Sequence, residues 1–155
     1  MRFGVVLPIG PGSVADAARR IEAAGFDSAW VVDAHNRGLL LQDPFAALAV
    51  AATHTTRLEV GSCVANGRWI RRAATEFDGW IGSARSTDVA TLRQGLDRFR
   101  DAGGRRAVAA NLAASRPDAA DVLHELAAAG FDDAVVIVDR HDDDELARVR
   151  ALVTP

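Results

Sequence analysis

The chain reads AAGFDSAWVVDAH at residues 23–35 and AAGFDDAVVIVDRH at residues 128–141. Each copy has the pattern of a helix end, a glycine that stops the helix, an apolar strand and a polar tip. A strand whose residues are nearly all apolar is covered on both faces, and strands that alternate with helices form a parallel sheet of β/α units. The repeat therefore predicts an α/β fold with its functional groups at the carboxyl ends of the strands.

Six such units follow one another without a linker, which predicts a single domain over residues 1–155. The predicted strands are 2–7, 28–32, 57–64, 78–82, 106–112 and 133–138, and the predicted helices are 13–24, 44–54, 69–76, 88–102, 118–129 and 142–152. Two sheet topologies are compatible with this order of strands and helices. In an open doubly wound sheet the strand order reverses once, whereas a barrel-type sheet runs in sequence order.

Composition excludes several classes of function. The net charge is −3 with no basic block, so we expect no nucleic-acid partner. No apolar stretch is long enough to span a membrane and Cys63 is the only cysteine, so a cytoplasmic protein without an intramolecular disulfide is expected. All 18 basic residues are arginine, so a Schiff-base lysine and a phosphate-loop lysine are excluded. There is also no tyrosine, which excludes the tyrosine acid of a Tyr-x-x-x-Lys pair.

Several blocks of the sequence resemble, in the same order, the luciferase-like monooxygenase superfamily. The blocks are residues 3–5, 24–33, 43–48, 56–64 and 70–81, the last of which contains the Asp-Gly-Trp motif of Asp78 to Trp80. The resemblance implies a (β/α)8 barrel lineage and a flavin- or deazaflavin-dependent oxidoreductase or monooxygenase. It implies FMN or coenzyme F-420 as cofactor and a small-molecule substrate that the residues do not specify.

Barrels of this kind are about 250 residues long, and the resemblance implies that two strands are missing between Asn66 and Arg68. One of them helps to hold the cofactor phosphate in family members. We therefore expect a truncated TIM-barrel-like fold of about six parallel strands, in which the third strand and the Asp-Gly-Trp strand flank a gap. Open sheet edges recruit partners, so a homodimer that buries both edges is expected.

The candidate site residues lie where predicted strands end. Asp33 matches the acidic residue that ends the second strand in deazaflavin-dependent relatives, and His35 is the candidate proton donor beside the ring. The segment Ser62 to Val64 matches a family segment that often holds a non-proline cis peptide bond behind the ring, with Cys63 as a core residue the alternative. The cofactor-binding candidates are Ser62, Cys63, Val64, Asn66, Ser83, Arg85 and Asn111.

Three alternatives remain open from the residues alone. The turn Gly10-Pro11-Gly12-Ser13, with Asp33 further on, is also compatible with a dinucleotide-binding sheet. The second tip, Asp139 to His141, together with Asp33 and His35, has the composition of a metal site. Finally, a non-catalytic cofactor-binding or protein-interaction scaffold can retain the fold without the phosphate-binding strands.

Overall fold

A computed structural model describes residues 1–8, 14–32, 43–63, 70–85 and 87–153. Within these ranges, strands and helices alternate. They are β1 Arg2–Val6, α1 Val14–Ala23, β2 Ser28–Val32, α2 Pro44–His54, β3 Glu59–Cys63, α3 Ile70–Glu76, β4 Trp80–Ser83, α4 Val89–Asp101, β5 Ala107–Ala113, α5 Ala119–Ala129, β6 Asp133–Ile137 and α6 Asp143–Arg150, followed by a 3-10 turn at Ala151–Val153. The six predicted β/α units are confirmed.

The strands form one parallel sheet in the order β3-β2-β1-β6-β5-β4. The first and last strands pair with each other, with Gly4 opposite Val135, as they do where a barrel closes. A dinucleotide-binding sheet would instead place β4 beside β1, so that alternative is wrong. The sheet is a half-barrel of a truncated TIM-barrel type, and β3 and β4 are its edges, as expected for the strands that flank the gap.

Local sequence signals explain where the helices begin and end. The carboxylates of Asp43, Asp88 and Asp142 accept hydrogen bonds from backbone N–H groups in the first turns of α2, α4 and α6, at 2.8, 2.8 and 2.9 Å. Gly130 ends α5 with a φ of 96°, a left-handed conformation that glycine adopts without steric cost. No helix within the described ranges combines the length and apolar character that a membrane span requires.

Two apolar layers hold the half-barrel together. Between sheet and helices, Phe3 packs on Phe26 with ring centroids 5.3 Å apart, and Trp80 packs against Phe99 at 6.0 Å. Inside the curved sheet, Trp30 packs with apolar side chains of β1, β5 and β6, namely Val6, Val108, Ala110 and Val135. Trp30 and Trp80 are 7% and 5% exposed, so both are core residues.

The amino ends of four strands meet in a group of charged side chains, here called the basal ion cluster: Arg2, Glu59, Arg106 and Asp133. The Arg106 guanidinium donates two hydrogen bonds to Asp133, at 2.8 and 3.0 Å, and a third to Glu59 at 2.7 Å. Arg2 lies 2.7 Å from the second oxygen of Glu59. Because Glu59 belongs to an edge strand and Arg106 leads into β5, the cluster ties the open edge to the middle of the sheet.

The basal ion cluster makes stability dependent on pH. Partial burial raises the pKa of Glu59, but hydrogen bonds and charge from Arg106 and Arg2 outweigh it, so the pKa lies below the ordinary value of 4.5. A lowered folded-state pKa gives stability that is complete above the unfolded pKa and is lost as the pH falls through the folded one. We therefore expect the free energy of unfolding to fall in acid.

Comparison with Glu59→Gln isolates this contribution. In urea titrations from about pH 7 to about pH 3, the stability difference between the wild type and Glu59→Gln should shrink as the carboxyl group takes up its proton. A difference that stays constant over this range would contradict the role given to Glu59.

Candidate functional site at the carboxyl ends of the strands

Parallel strands bring their carboxyl ends to one edge of the sheet, where α/β proteins of this type bind ligands. In the described part of the chain this edge carries four polar residues: Ser83 at the end of β4, Arg85 just after it, Asn111 in β5 and His141 after β6. These four residues are called the rim below. Three of them, Ser83, Arg85 and Asn111, were predicted from sequence as cofactor contacts.

Asn111 occupies a bulge in β5. Ala110 and Leu112 pair with the consecutive residues Val135 and Val136 of β6, so Asn111 is the extra residue. Its φ is 69°, a left-handed conformation that asparagine tolerates better than most side chains but still adopts at a cost. The residue is 8% exposed, and its Oδ1 atom is buried without a hydrogen-bond partner among the described residues.

An unpaired buried amide oxygen is costly, since burial removes its water without supplying a donor. Strained backbone and an unsatisfied polar atom at one residue are typical of positions kept for a ligand. The sequence AVAANLA does not reveal the bulge. Asn111 was selected from the sequence only because it lies near the end of a predicted strand. Asn111 is therefore the strongest ligand-binding candidate among the described rim residues.

Ser83 and Arg85 lie on the strand next to Asn111. Ser83 is opposite Ala110 in the register of β4 and β5, and the N–H of Ala84 donates to the carbonyl of Ala110 at 2.7 Å. Arg85 is exposed and forms no ion pair with any residue in the described ranges. The structure thus brings a hydroxyl group, a guanidinium group and an amide to the ends of two neighbouring strands.

His141 supplies an imidazole group to the other side of the rim. Its Nε2 atom lies 2.8 Å from the carbonyl oxygen of Val6, at the end of β1. Because a carbonyl only accepts, Nε2 carries the proton and donates it. The carboxylate of Glu145, which is 6% exposed, holds the loop before α6 by accepting from the backbone N–H groups of Asp139, at 3.2 Å, and of Arg140.

Sequence reasoning placed the Asp139 to His141 tip at the carboxyl end of a strand, and the chemical role it considered there was part of a metal site. Its position at the rim depends on the pairing of β1 with β6 and on Glu145, neither of which the tip itself reveals. The three-residue spacing from the helix cap Asp142 to Glu145 is the sequence signal that could have indicated that Glu145 fixes the loop before α6. Within the described ranges, no three histidine, cysteine, aspartate or glutamate side chains converge as metal ligands would.

The other predicted site residues are not among the described residues of the rim. Asp33, His35, Val64 and Asn66 fall outside the described residues, as do the Gly10 to Ser13 turn, Arg68 and Trp69. Cys63 ends β3, and its peptide bond with Ser62 is trans, as are all peptide bonds between described residues. The extended pairing of β3 with β2 continues through Cys63, which accounts for the regular backbone there.

Ser62 does not share the inner face of the sheet with Trp30. Its partner in register is Val31, which belongs to the core between sheet and helices, and Ser62 is exposed at the sheet edge. Arg116, a further candidate for binding an anion, donates to both oxygens of Asp118, at 2.8 and 2.6 Å. Its guanidinium group is therefore already paired.

A sequence model of the family described as luciferase-like monooxygenase matches residues 1–71. The resemblance predicted from sequence is confirmed. The matched part runs from β1 to the first residues of α3, so it includes three of the six strands and the two segments that carry Asp33, His35 and Asn66. The barrel-like order of the sheet agrees with the luciferase-like match.

Relatives are found among uncharacterized proteins of Mycobacterium bovis and of two strains of Mycobacterium tuberculosis, each 45% identical to this chain over 51 residues. The match covers 33% of this chain and 13% of each of those proteins. Among solved structures, the 3-dehydroquinate dehydratase from Aquifex aeolicus VF5 is similar with a TM-score of 0.41 and 14% identity, over 100% of this chain and 76% of that chain.

Proposed function

We propose that this luciferase-like half-barrel is an oxidoreductase homologue that binds a flavin or deazaflavin, FMN or coenzyme F-420, at the rim. The observation that carries the proposal is Asn111, whose buried Oδ1 lacks a partner among the described residues at the carboxyl end of a strand. The family match over residues 1–71 supplies the class of cofactor.

The rim residues fit such a group chemically. Flavin and deazaflavin rings present both N–H donors and carbonyl acceptors, and both cofactors carry a phosphate on the side chain. Asn111 Oδ1 would accept from a ring N–H, the Ser83 hydroxyl would donate to a carbonyl, and the exposed Arg85 would bind the phosphate with two parallel hydrogen bonds. All three contacts would come from described residues of the rim.

The bound ring would supply the transfer of hydride equivalents. The chain's own part is to bind and orient the ring and to hold protons near it. The Nε2–H group of His141 donates to the carbonyl of Val6, which fixes the orientation of the imidazole ring at the rim. The family resemblance adds Asp33 and His35 as the proposed catalytic pair, with His35 as the proton donor.

A second candidate function is a binding scaffold without catalysis. It is favoured by one observation: β3 and β4 end the sheet that the described residues form, at the place where the resemblance puts the strand that helps to hold the phosphate. Such a scaffold would retain ring binding or protein interaction but would lack turnover.

Titration of the purified chain with FMN and, separately, with coenzyme F-420 tests the proposal. We expect one of the two cofactors to bind saturably, which should be seen as quenching of its own fluorescence. Absence of saturable binding of both would contradict the oxidoreductase proposal. Saturable binding without reoxidation of the reduced cofactor by any acceptor tried would favour the scaffold.

Asn111→Gly separates binding from folding. Loss of one neutral hydrogen bond of about 1 kcal/mol predicts about a fivefold weaker Kd for the bound cofactor. Stability to urea should not fall, because glycine accepts a φ of 69° freely and the unpaired oxygen is removed. The control is Gln94→Ala, an exposed position on α4, where affinity should stay unchanged. An Asn111→Gly variant with wild-type affinity would exclude Asn111 from the site.

A further inference from the structure

The loop between β6 and α6 is held by a carboxylate from within the fold. Glu145 lies in the first turn of α6 and is 6% exposed. One of its oxygens accepts from the backbone N–H of Asp139 at 3.2 Å, and the other accepts from the N–H of Arg140. The guanidinium group of Arg148 lies 3.5 Å from the first oxygen. Two consecutive N–H groups of a loop at the rim are therefore occupied by a negative charge of the chain itself.

Capping of α6 does not require these bonds. Asp142 already caps the helix, since its carboxylate accepts from the N–H of Glu145 at 2.9 Å. In a capping box the glutamate returns to the N–H of the cap residue. Glu145 instead reaches beyond the cap to the two preceding loop residues, Asp139 and Arg140. Its carboxylate thus serves the loop at the rim rather than the start of the helix.

The two N–H groups belong to a kind of loop that binds anions. Consecutive backbone N–H groups in a turn, beside the positive end of a helix dipole, form a concave site for phosphate or carboxylate. In (β/α) barrels the loops after the last two strands frequently form a phosphate site together with a helix N-terminus. In the described part of the chain β6 is the last strand and pairs with β1, so its loop occupies the corresponding place. Here the carboxylate of Glu145 fills that place.

The cations of the rim loops also differ in availability. One arginine follows each of the last three described strands: Arg85 after β4, Arg116 after β5 and Arg140 after β6. Arg116 donates to both oxygens of Asp118, and Arg140 lies 3.2 Å from a carboxylate oxygen of Asp142. Of these three arginines, Arg85 is the one that forms no ion pair within the described ranges.

We propose that Glu145 is a specificity-determining residue, which closes the loop after β6 to anions and so directs the phosphate of the cofactor to Arg85. This role rests on the proposed function. A phosphate at the β6 loop would have to displace a buried carboxylate of like charge from its two N–H donors. At Arg85 the phosphate meets an exposed guanidinium group, which can bind it with two parallel hydrogen bonds. The cofactor then lies with its ring toward Asn111 and its phosphate toward the edge strand β4.

Titration of the isotope-labelled chain with inorganic phosphate, against sodium chloride at equal ionic strength, tests the closed loop without a cofactor. In the wild type, the amide signals of Asp139 and Arg140 should not respond to phosphate. In Glu145→Ala, which frees both N–H groups, the same signals should shift saturably. The matched control is Glu125→Ala, which removes the same charge from an exposed site on α5 and should behave as the wild type does.

Comparison of Arg85→Gln with Arg140→Gln tests where the phosphate of the cofactor lies. With FMN or coenzyme F-420, whichever binds, Arg85→Gln should raise the Kd about tenfold, because a hydrogen bond to a charged group is lost. Arg140→Gln should leave the Kd unchanged. A larger effect of Arg140→Gln than of Arg85→Gln would overturn the proposal.

Saturable phosphate shifts of the Asp139 and Arg140 amides in the wild type would also overturn it. So would their absence in a Glu145→Ala variant that keeps the circular dichroism of the wild type. If Glu145→Ala fails to fold, the wild-type titration and the two arginine variants decide. Failure of both cofactors to bind would overturn the proposed function, and with it the direction of the phosphate, while the phosphate titration still decides whether Glu145 closes the loop.

Discussion

Asp133→Asn is expected to lower the free energy of unfolding by about 3 to 5 kcal/mol, the range found when one partner of a buried ion pair is removed. The Asp133 side chain is 1% exposed and accepts two hydrogen bonds from Arg106, with Arg2 a further 3.7 Å contact. Asparagine preserves the shape but removes the charge and one acceptor. Arg106 would then be only partly compensated, by Glu59, at the base of the sheet.

Urea denaturation at neutral pH measures this effect. Asp16→Asn is the control, because Asp16 pairs with Arg19 on the surface, where the two side chains are 69% and 51% exposed. An exposed pair of this kind contributes less than about 1 kcal/mol. Equal small losses in both variants would show that the basal ion cluster does not hold the half-barrel together.

Trp30→Ala is expected to cost about 3 to 5 kcal/mol of stability, as truncations of large buried aromatic residues do. The indole ring fills the inside of the curved sheet and lies so close to Gly61 that a Cβ there would be 2.8 Å from it. Its Nε1 donates to Ser28 Oγ at 2.8 Å. Truncation would leave both a cavity and an unpaired buried hydroxyl group.

Trp30→Phe gives the comparison for this prediction. A phenyl ring fills part of the space but cannot donate to Ser28, so we expect a loss of stability between those of the wild type and Trp30→Ala. Urea denaturation of the three proteins measures the order. A Trp30→Ala variant within about 1 kcal/mol of the wild type would mean that the interior is not packed around this ring.

Much of the fold follows from patterns local in the sequence. Apolar strands between helical segments predicted the parallel sheet, and Asp43-Pro44 and Asp142 predicted helix starts, because cap residues act within one turn. The pairing of β1 with β6 agrees with the barrel lineage that the family resemblance implies, and neither strand indicates it by itself. The edge positions of β3 and β4 followed from the same resemblance.

The features that local patterns could not predict depend on distant residues. The bulge at Asn111 is defined by the register with β6, and the carbonyl that holds His141 comes from Val6, 135 positions away. Arg106 and Glu59 are 47 positions apart, and nothing in either segment indicates the other. For Asp33, His35, Val64 and Asn66 the proposed roles stay predictions from the resemblance.

Mapping ligand contacts by the amide ¹H–¹⁵N spectrum of the isotope-labelled chain tests the central claim, that the rim is the cofactor site. With FMN or coenzyme F-420 added, we predict that saturable shifts will centre on Ser83, Arg85, Asn111 and His141. The basal ion cluster at the opposite end should remain unshifted. Saturable shifts confined to residues outside the rim, such as the basal ion cluster, would contradict the account.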